Sequence, residues 1–254
     1  MARVLIVGGT TEARQLAERL ARRSGLEVTL SLAGRTASPV AHAVPIRVGG
    51  FGGVEGLVDH LAAERIDALI DATHPYANVI SQNAAAAARK AGVPFVVLRR
   101  PPWSAVADDR WIEVSDTGAA VGAIGQEGRN VFVTIGRNEL APFASAPQHR
   151  YLIRSVDAVH PPLPIPDVTY ITARGPFSET DDRALMAEHK IEVVVSKNSG
   201  GSAAYSKIAA ARALGVEVIM LRRPPAPDAP SVNTVEDAIA WLDHTLTSTA
   251  ARGV

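Results

Sequence analysis

The chain of 254 residues contains no cysteine. That excludes disulfides, thiol nucleophiles and cysteine-ligated metals, and no metal site is expected. Aromatic residues amount to only 5%. They are not interleaved with basic runs, so a nucleic-acid surface is not expected. Neither sign of charge is in excess: Lys+Arg and Asp+Glu both count 26. No global field therefore calls for nucleic acid or an anionic membrane. Long hydrophobic runs are missing too. The opening MARVLIVGG stops at two glycines, too short for a spanning helix and without a cleavage site behind it. The expectation is a cytoplasmic protein with no membrane partner.

Apolar residues make up 47% of the chain, enough for sizeable cores. They fall into a segment that occurs twice. Residues 83–102 read NAAAAARKAGVPFVVLRRPP and residues 206–225 read SKIAAARALGVEVIMLRRPP. Two copies are too few for a solenoid. They predict two similar α/β domains facing each other across a cleft, where ligands bind. Short apolar strands alternate with helical periodicity throughout. That predicts two Rossmann-like, doubly wound parallel sheets. The expected boundaries are 1–108 for an N-terminal dinucleotide-binding domain, 109–129 for a connecting strand and helix, and 130–248 for a C-terminal domain. The copies then diverge. The first leads into the strand WIEVS at 111–115, the second into PDAPSVNT, which leaves only a stub. The first domain thus has a spare sixth strand. We expect it to pair with the second sheet, so that the domains share a strand.

Chemistry is expected at the carboxyl ends of these strands, the ligand edge of parallel sheets. Gly8-Gly9-Thr10-Thr11-Glu12 joins the first strand to its helix. Glycines permit close backbone approach, and the helix start presents N–H groups to a phosphate. Gly9, Thr10, Thr11 and Glu12 are therefore cofactor candidates. The full G-x-G-x-x-G pattern is not met, and a plain strand–helix turn with a threonine cap is the competing reading. Gly34 and Arg35 follow the second strand, where dinucleotide folds read the adenosine ribose. An Arg there suits the 2′-phosphate of NADPH, and no acid suited to NAD is nearby; a solvated loop Arg is the alternative. Gly49-Gly50-Phe51-Gly52-Gly53 has more glycines than a turn needs, which makes Gly50, Gly52 and Gly53 ligand candidates.

The fourth-strand tips match each other. Asp71-Ala72-Thr73-His74-Pro75-Tyr76-Ala77 ends one, and Ser196-Lys197-Asn198-Ser199-Gly200-Gly201 ends the other. Thr73, His74, Tyr76, Lys197, Asn198, Ser199 and Gly200 are candidates to line the site. Arg137, Arg154 and Arg174 lie near strand ends, with Arg99, Arg100, Arg222 and Arg223. A ring of arginines would suit a substrate with several carboxylates. Surface salt bridges are the alternative for any one of them.

These motifs resemble a known family. GGTTEA, GGFGG, DATHPYA with Ser81 and Asn83 after it, GPFS at 175–178, and SKNSGG followed by K-I-x-A-A-R-x-L-G-V look like the precorrin-6A reductases of cobalamin biosynthesis. The resemblance covers nearly the whole chain in order. It implies NADPH-dependent reduction of one double bond of the precorrin-6A macrocycle to give precorrin-6B. It also implies two Rossmann-like domains sharing one nucleotide, and a polycarboxylated tetrapyrrole as substrate. The product could pass to the next pathway enzyme. Under this reading Tyr76, His74 and Lys197 are candidates to orient the ring or donate a proton. Gly9, Thr10, Thr11, Glu12, Gly34, Arg35, Gly50, Gly52, Gly53, Thr73, Ser199 and Gly200 would hold the cofactor. Arg137, Arg154, Arg174 and Asn198 would hold the substrate. Two readings from other classes are a nucleotide-binding regulatory protein and a two-domain nucleotide-sugar transferase.

Overall fold

A computed structural model describes residues 1–34 and 42–252. The chain forms two compact units. The first comprises residues 1–101 and 224–254, the second residues 102–223.

In the first unit, β1 (Ala2–Gly8), α1 (Thr11–Leu20), β2 (Leu26–Leu32), β3 (Ile46–Val48), α2 (Gly53–Ala63), β4 (Ala68–Ala72), α3 (Asn78–Ala91) and β5 (Phe95–Leu98) follow in chain order. The second unit continues with β6 (Trp111–Val114), α4 (Thr117–Ile124), β7 (Asn130–Val133), β8 (Arg150–Ser155), β9 (Val168–Thr172), α5 (Glu179–Glu188), β10 (Val193–Lys197), α6 (Ser206–Leu214) and β11 (Glu217–Leu221). The chain then returns to the first unit as β12 (Ser231–Val232) and α7 (Val235–Arg252).

Each unit holds a six-stranded sheet, ordered β12-β5-β4-β1-β2-β3 in the first and β6-β11-β10-β7-β8-β9 in the second. Every pairing is parallel. The two orders are the same topology written twice, with β1 matching β7 and β4 matching β10. The sixth strand of each sheet is exchanged. β6 follows β5 in the chain yet pairs with β11, with Leu221 opposite Val114. This is the placement that the asymmetry of the repeats predicts for WIEVS.

The return exchange was not anticipated. The expected 130–248 boundary put the last helix in the second unit. Instead the stub Ser231–Val232 pairs with β5, and α7 packs on the first sheet through Val235, Ala238 and Leu242. Two residues of strand are a weak sequence signal beside four prolines, but their backbone suffices. Val97 N–H donates to Pro230 O and Arg99 N–H to Val232 O, both at 2.9 Å. The chain changes unit at Pro101–Pro102 and at Arg223–Pro224. The duplicated Arg-Arg-Pro-Pro is thus the crossing point both times. Proline cannot extend a ladder, so the strand ends there and the chain is free to leave.

The first sheet is covered on both faces. Val4 and Ile6 of β1 pack with Leu16 and Leu20 of α1 and with α7. Leu5 and Val7 point the other way, onto Leu57 and Leu61 of α2 and the alanines of α3. Strands buried on two faces must be apolar at every position, which is why RVLIVG shows no alternation. Each such Leu or Ile contributes about 1.5–3 kcal/mol on burial. The duplicated Gly-Val ends α3 and α6 in the same way. Gly92 and Gly215 adopt left-handed backbone at φ +68° and +66°. The N–H of Val93 and Val216 then closes on Ala88 O and Ala211 O, as in a glycine-terminated helix.

Candidate functional site

The β1–α1 turn is built by two residues with separate tasks. Gly8 is the packing glycine. A Cβ there would lie 2.7 Å from Ala13 Cβ and 2.8 Å from Ala72 O. Gly9 faces open space, with nothing within 4 Å of a would-be Cβ. Thr10 caps α1: its Oγ1 accepts from Ala13 N–H at 3.1 Å and donates to Ala72 O at 2.8 Å. Its hydroxyl proton is therefore committed to joining the β1 and β4 tips. What remains for a ligand is the open Gly9 backbone and the exposed Thr11 at the positive end of α1. Glu12 would repel a phosphate there, but Arg100 pairs with it at 2.6 Å, and both side chains are largely shielded. An anion is thus not excluded by the one acid in the first turn.

The glycine-rich loop after β3 is partly structural. Gly49, Gly52 and Gly53 have φ of +117°, +85° and +90°, backbone that side chains rarely adopt. Gly50 is not in that region and has open space around it. Arg47 holds the loop: its guanidinium donates to Gly49 O at 2.6 Å and Gly50 O at 2.8 Å, and stacks on Phe51 at 3.8 Å. Gly34 has φ +70° and lies against Val48. Arg35 lies outside the described residues.

The β4 tip carries the densest polar cluster of the first unit. Asp71 is 1% exposed. Its Oδ1 accepts Thr73 N–H at 2.9 Å, and the Thr73 and Ser81 hydroxyls lie 3.1 Å apart beside it. Burial pushes the carboxyl above the ordinary carboxylate range, against the pull of hydrogen bonds from Ser81 and Thr73 and of the nearby Arg99 charge. Arg99 is in turn pulled down, chiefly by burial. His74 Nδ1 accepts Tyr76 N–H at 3.3 Å, and the two rings sit 5.6 Å apart. That bond fixes the His74 ring and leaves Nε2 as the free nitrogen. Thr73, His74, Asn78, Ser81 and Arg99 surround a small cavity with Asp71.

In the second unit the matching β10 tip is latched from within. Asn198 Oδ1 accepts Trp103 N–H and its amide donates to Trp103 O, both at 2.8 Å. Trp103 Nε1 donates to Gly201 O at 2.8 Å. Arg223 donates to Asn198 O and Ser199 O. Gly200 and Gly201 are left-handed at φ +67° and +70°. Asn198 is thus buried and occupied by the loop, which corrects its expected role as a substrate ligand. Ser199 remains partly exposed, and Lys197 pairs with Glu139.

The arginine ring is also smaller than expected. Arg154 is internal: it pairs with Asp182 at 2.6 Å, with side-chain exposures of 8% and 1%, and lies over the Phe177 ring at 3.7 Å. Ser206 Oγ completes Asp182 at 2.6 Å. Lys207 sits behind this pair. Its Nζ donates to Ala204 O at 2.7 Å and faces the Trp103 ring at 5.3 Å. Burial first, and then the Arg154 charge, lowers it to about 7. Arg137 and Arg174 do stand at the surface. Among the described residues no cluster of acids and histidines could hold a metal, and no helix is long and apolar enough to cross a membrane.

The profile of the precorrin-6x reductase family CbiJ/CobK matches residues 3–243. The chain belongs to this family. It is 52% identical over 244 residues to a precorrin-6A reductase of Sinorhizobium sp, covering 96% of this chain and 94% of that one. It is 48% identical to a precorrin-6A reductase of Rhodobacter capsulatus, covering 96% and 97%. A solved structure titled CobK precorrin-6A reductase superposes with a TM-score of 0.92 at 47% identity, covering 96% of this chain and 97% of that one. Family members thus share the two-sheet fold end to end. The sequence motifs that carry the family resemblance map to strand tips: GGTTEA to β1, GGFGG to β3, DATHPYA to β4 and SKNSGG to β10. Sequence reasoning missed Arg47, Trp103 and Lys207. Arg47 and Trp103 act through backbone groups of distant loops, which no local pattern announces. Lys207 carries a charge at a helix start, where burial is not expected.

Proposed function

We propose that this chain reduces one double bond of the precorrin-6A macrocycle with NADPH, giving precorrin-6B in cobalamin biosynthesis. Membership of the reductase family over the whole chain carries the reaction class. The reading of the cofactor is supported by one observation above all: the open Gly9 backbone at the amino end of α1, with Glu12 neutralised by Arg100. A side chain at Gly9 would fill the space that a phosphate needs. When bound, the dihydronicotinamide supplies the hydride. Thr11 and the first N–H groups of α1 hold the phosphates. Arg35 reads the 2′-phosphate, on the strength of its place after β2.

The chain's own residues orient and exclude water. His74, with its ring fixed through Nδ1, presents Nε2, and Tyr76 presents its phenol beside it. Either can hold the proton that the macrocycle takes up. Lys197, held by Glu139, is the corresponding cation of the second unit. Arg137 and Arg174 are the surface cations left for the substrate's carboxylates. The protein acts in the cytoplasm on a free tetrapyrrole and binds neither membrane nor nucleic acid; its product passes to the next pathway enzyme.

Fluorescence titration of the purified protein with NADPH and NADH tests the cofactor reading, followed by single-turnover reduction of precorrin-6A. Tight NADPH and weak NADH binding is expected, with the preference lost in Arg35→Glu. Equal affinity for both would remove Arg35 from the phosphate site. Binding of neither, with or without precorrin-6A, would overturn the assignment.

A further inference from the structure

Asp71 is placed as ligand-reading residues are. It ends β4, the strand beside β1 in the sheet, at the edge where the β1–α1 turn also opens. One carboxylate oxygen is committed to Thr73 N–H. The other, Oδ2, is buried and has no hydrogen-bond partner among the described residues. A buried acceptor without a donor costs free energy that a scaffold role does not require. Thr73 N–H needs one oxygen only, and an asparagine or serine would serve it.

The cavity beside Asp71 restricts what the second oxygen can meet. A phosphate or carboxylate would be set against another anion. A cation would meet the Arg99 guanidinium, which lines the same cavity. A neutral group remains, and the lining offers it both kinds of partner: an acceptor in Asp71 Oδ2, and donors in Arg99 and the Asn78 amide. A planar primary amide has two N–H donors and one carbonyl, and it satisfies both at once.

We propose that this cavity is the subsite for the carboxamide of the dinucleotide's nicotinamide, with Asp71 Oδ2 accepting from the amide N–H. The inference rests on the dinucleotide reading above and names the group that orients the ring. A site built around a hydrogen bond rejects the analogue that lacks it, because its own polar atom is then left unpaired.

The test compares reduced NADPH with the reduced 3-acetylpyridine analogue, whose methyl ketone has no N–H. The wild-type protein is expected to bind NADPH about tenfold or more tightly than the analogue. Asp71→Asn keeps the Thr73 contact but offers the ligand an amide group in place of the carboxylate. It is expected to weaken NADPH by about the same factor and leave the analogue unchanged. Equal wild-type affinity for the two overturns the subsite, and that comparison needs no variant to fold. Equal weakening of both ligands by Asp71→Asn also overturns it, in favour of a ribose contact or a scaffold role. If the wild type binds neither NADPH nor NADH, the dinucleotide reading fails and the subsite with it. If it binds NADPH but does not distinguish the analogue, the subsite fails alone.

Discussion

Lys207→Met should make the protein more stable at neutral pH, and the reason is set out in the geometry of α6. Lys207 is 5% exposed. Its ammonium meets one carbonyl, the Trp103 face and the Arg154 guanidinium, while the Asp182 carboxylate of the cluster is already shared by Arg154 and Ser206. Its folded pKa is therefore lowered from 10.5 to about 7. The sign follows directly. Between those two values the unfolded chain holds the proton and the folded chain does not, so stability rises with pH across that window. The limiting slope is about 1.4 kcal/mol per pH unit. The whole displacement corresponds to about 4–5 kcal/mol, present in full as a penalty below pH 7. Methionine keeps the alkyl stem and the packing on Trp103 but cannot be charged. Urea unfolding at pH 6, 7, 8 and 9 should show wild-type stability climbing by about 1 kcal/mol per unit above pH 7. The variant should be flatter by that slope and the more stable protein at pH 6. Parallel curves for the two proteins would refute the reasoning, because they would mean that Lys207 keeps its solution pKa in the fold.

Three further outcomes follow from other contacts. Gly56→Ala would place a Cβ 1.7 Å from Phe51 O, so a loss of about 1–3 kcal/mol is expected by urea unfolding; Gly9→Val, with open space around it, should unfold like the wild type and fail to bind NADPH. Arg154→Met leaves the Asp182 carboxylate buried with Ser206 alone, at a cost of about 3–5 kcal/mol; a loss below about 1 kcal/mol would mean that the pair is solvated. Asp71→Asn removes a carboxyl whose folded pKa is raised. The wild type loses stability as pH rises from about 3.8 through that value, so the variant should melt higher at pH 8 and the gap should close toward pH 4.

The fold was legible wherever local chemistry repeats. Continuous apolar strands, helices closed by Gly92 and Gly215, and the duplicated Arg-Arg-Pro-Pro all state their roles in the sequence, because each is decided by residues close in the chain. The exchange of β6 was readable from the same repeat, since one copy led to a strand and the other to a proline-rich stub. Its reciprocal was not. β12 has two residues, and its pairing depends on a neighbour more than 130 positions away. A stub becomes a strand only when a sheet edge is waiting for it. The consequence is an interlocked connectivity: neither unit is a continuous piece of chain, and neither sheet is complete without a strand that follows the other unit's crossing point.

The site separates in the same way into what is local and what is not. Residue type told that glycines, threonines and a histidine stand at strand tips. It could not tell which of them the scaffold consumes. Thr10 and Asn198 look like ligand donors in sequence, yet each closes a contact of its own unit, Thr10 with Ala72 and Asn198 with Trp103. Arg154 looks like a surface cation, yet Asp182 draws it inside. The reverse holds for Asp71. In sequence it is one more apolar-strand position with a polar residue, and its importance is visible only as a buried oxygen with nothing donating to it. A functional group in this protein is therefore better recognised by the hydrogen bond it has left unmade than by its residue type. By that criterion the β4 tip, with its unpartnered oxygen, is the position where the scaffold has left a polar group for a ligand, whereas the matching Asn198 at the β10 tip has been spent on holding the loop.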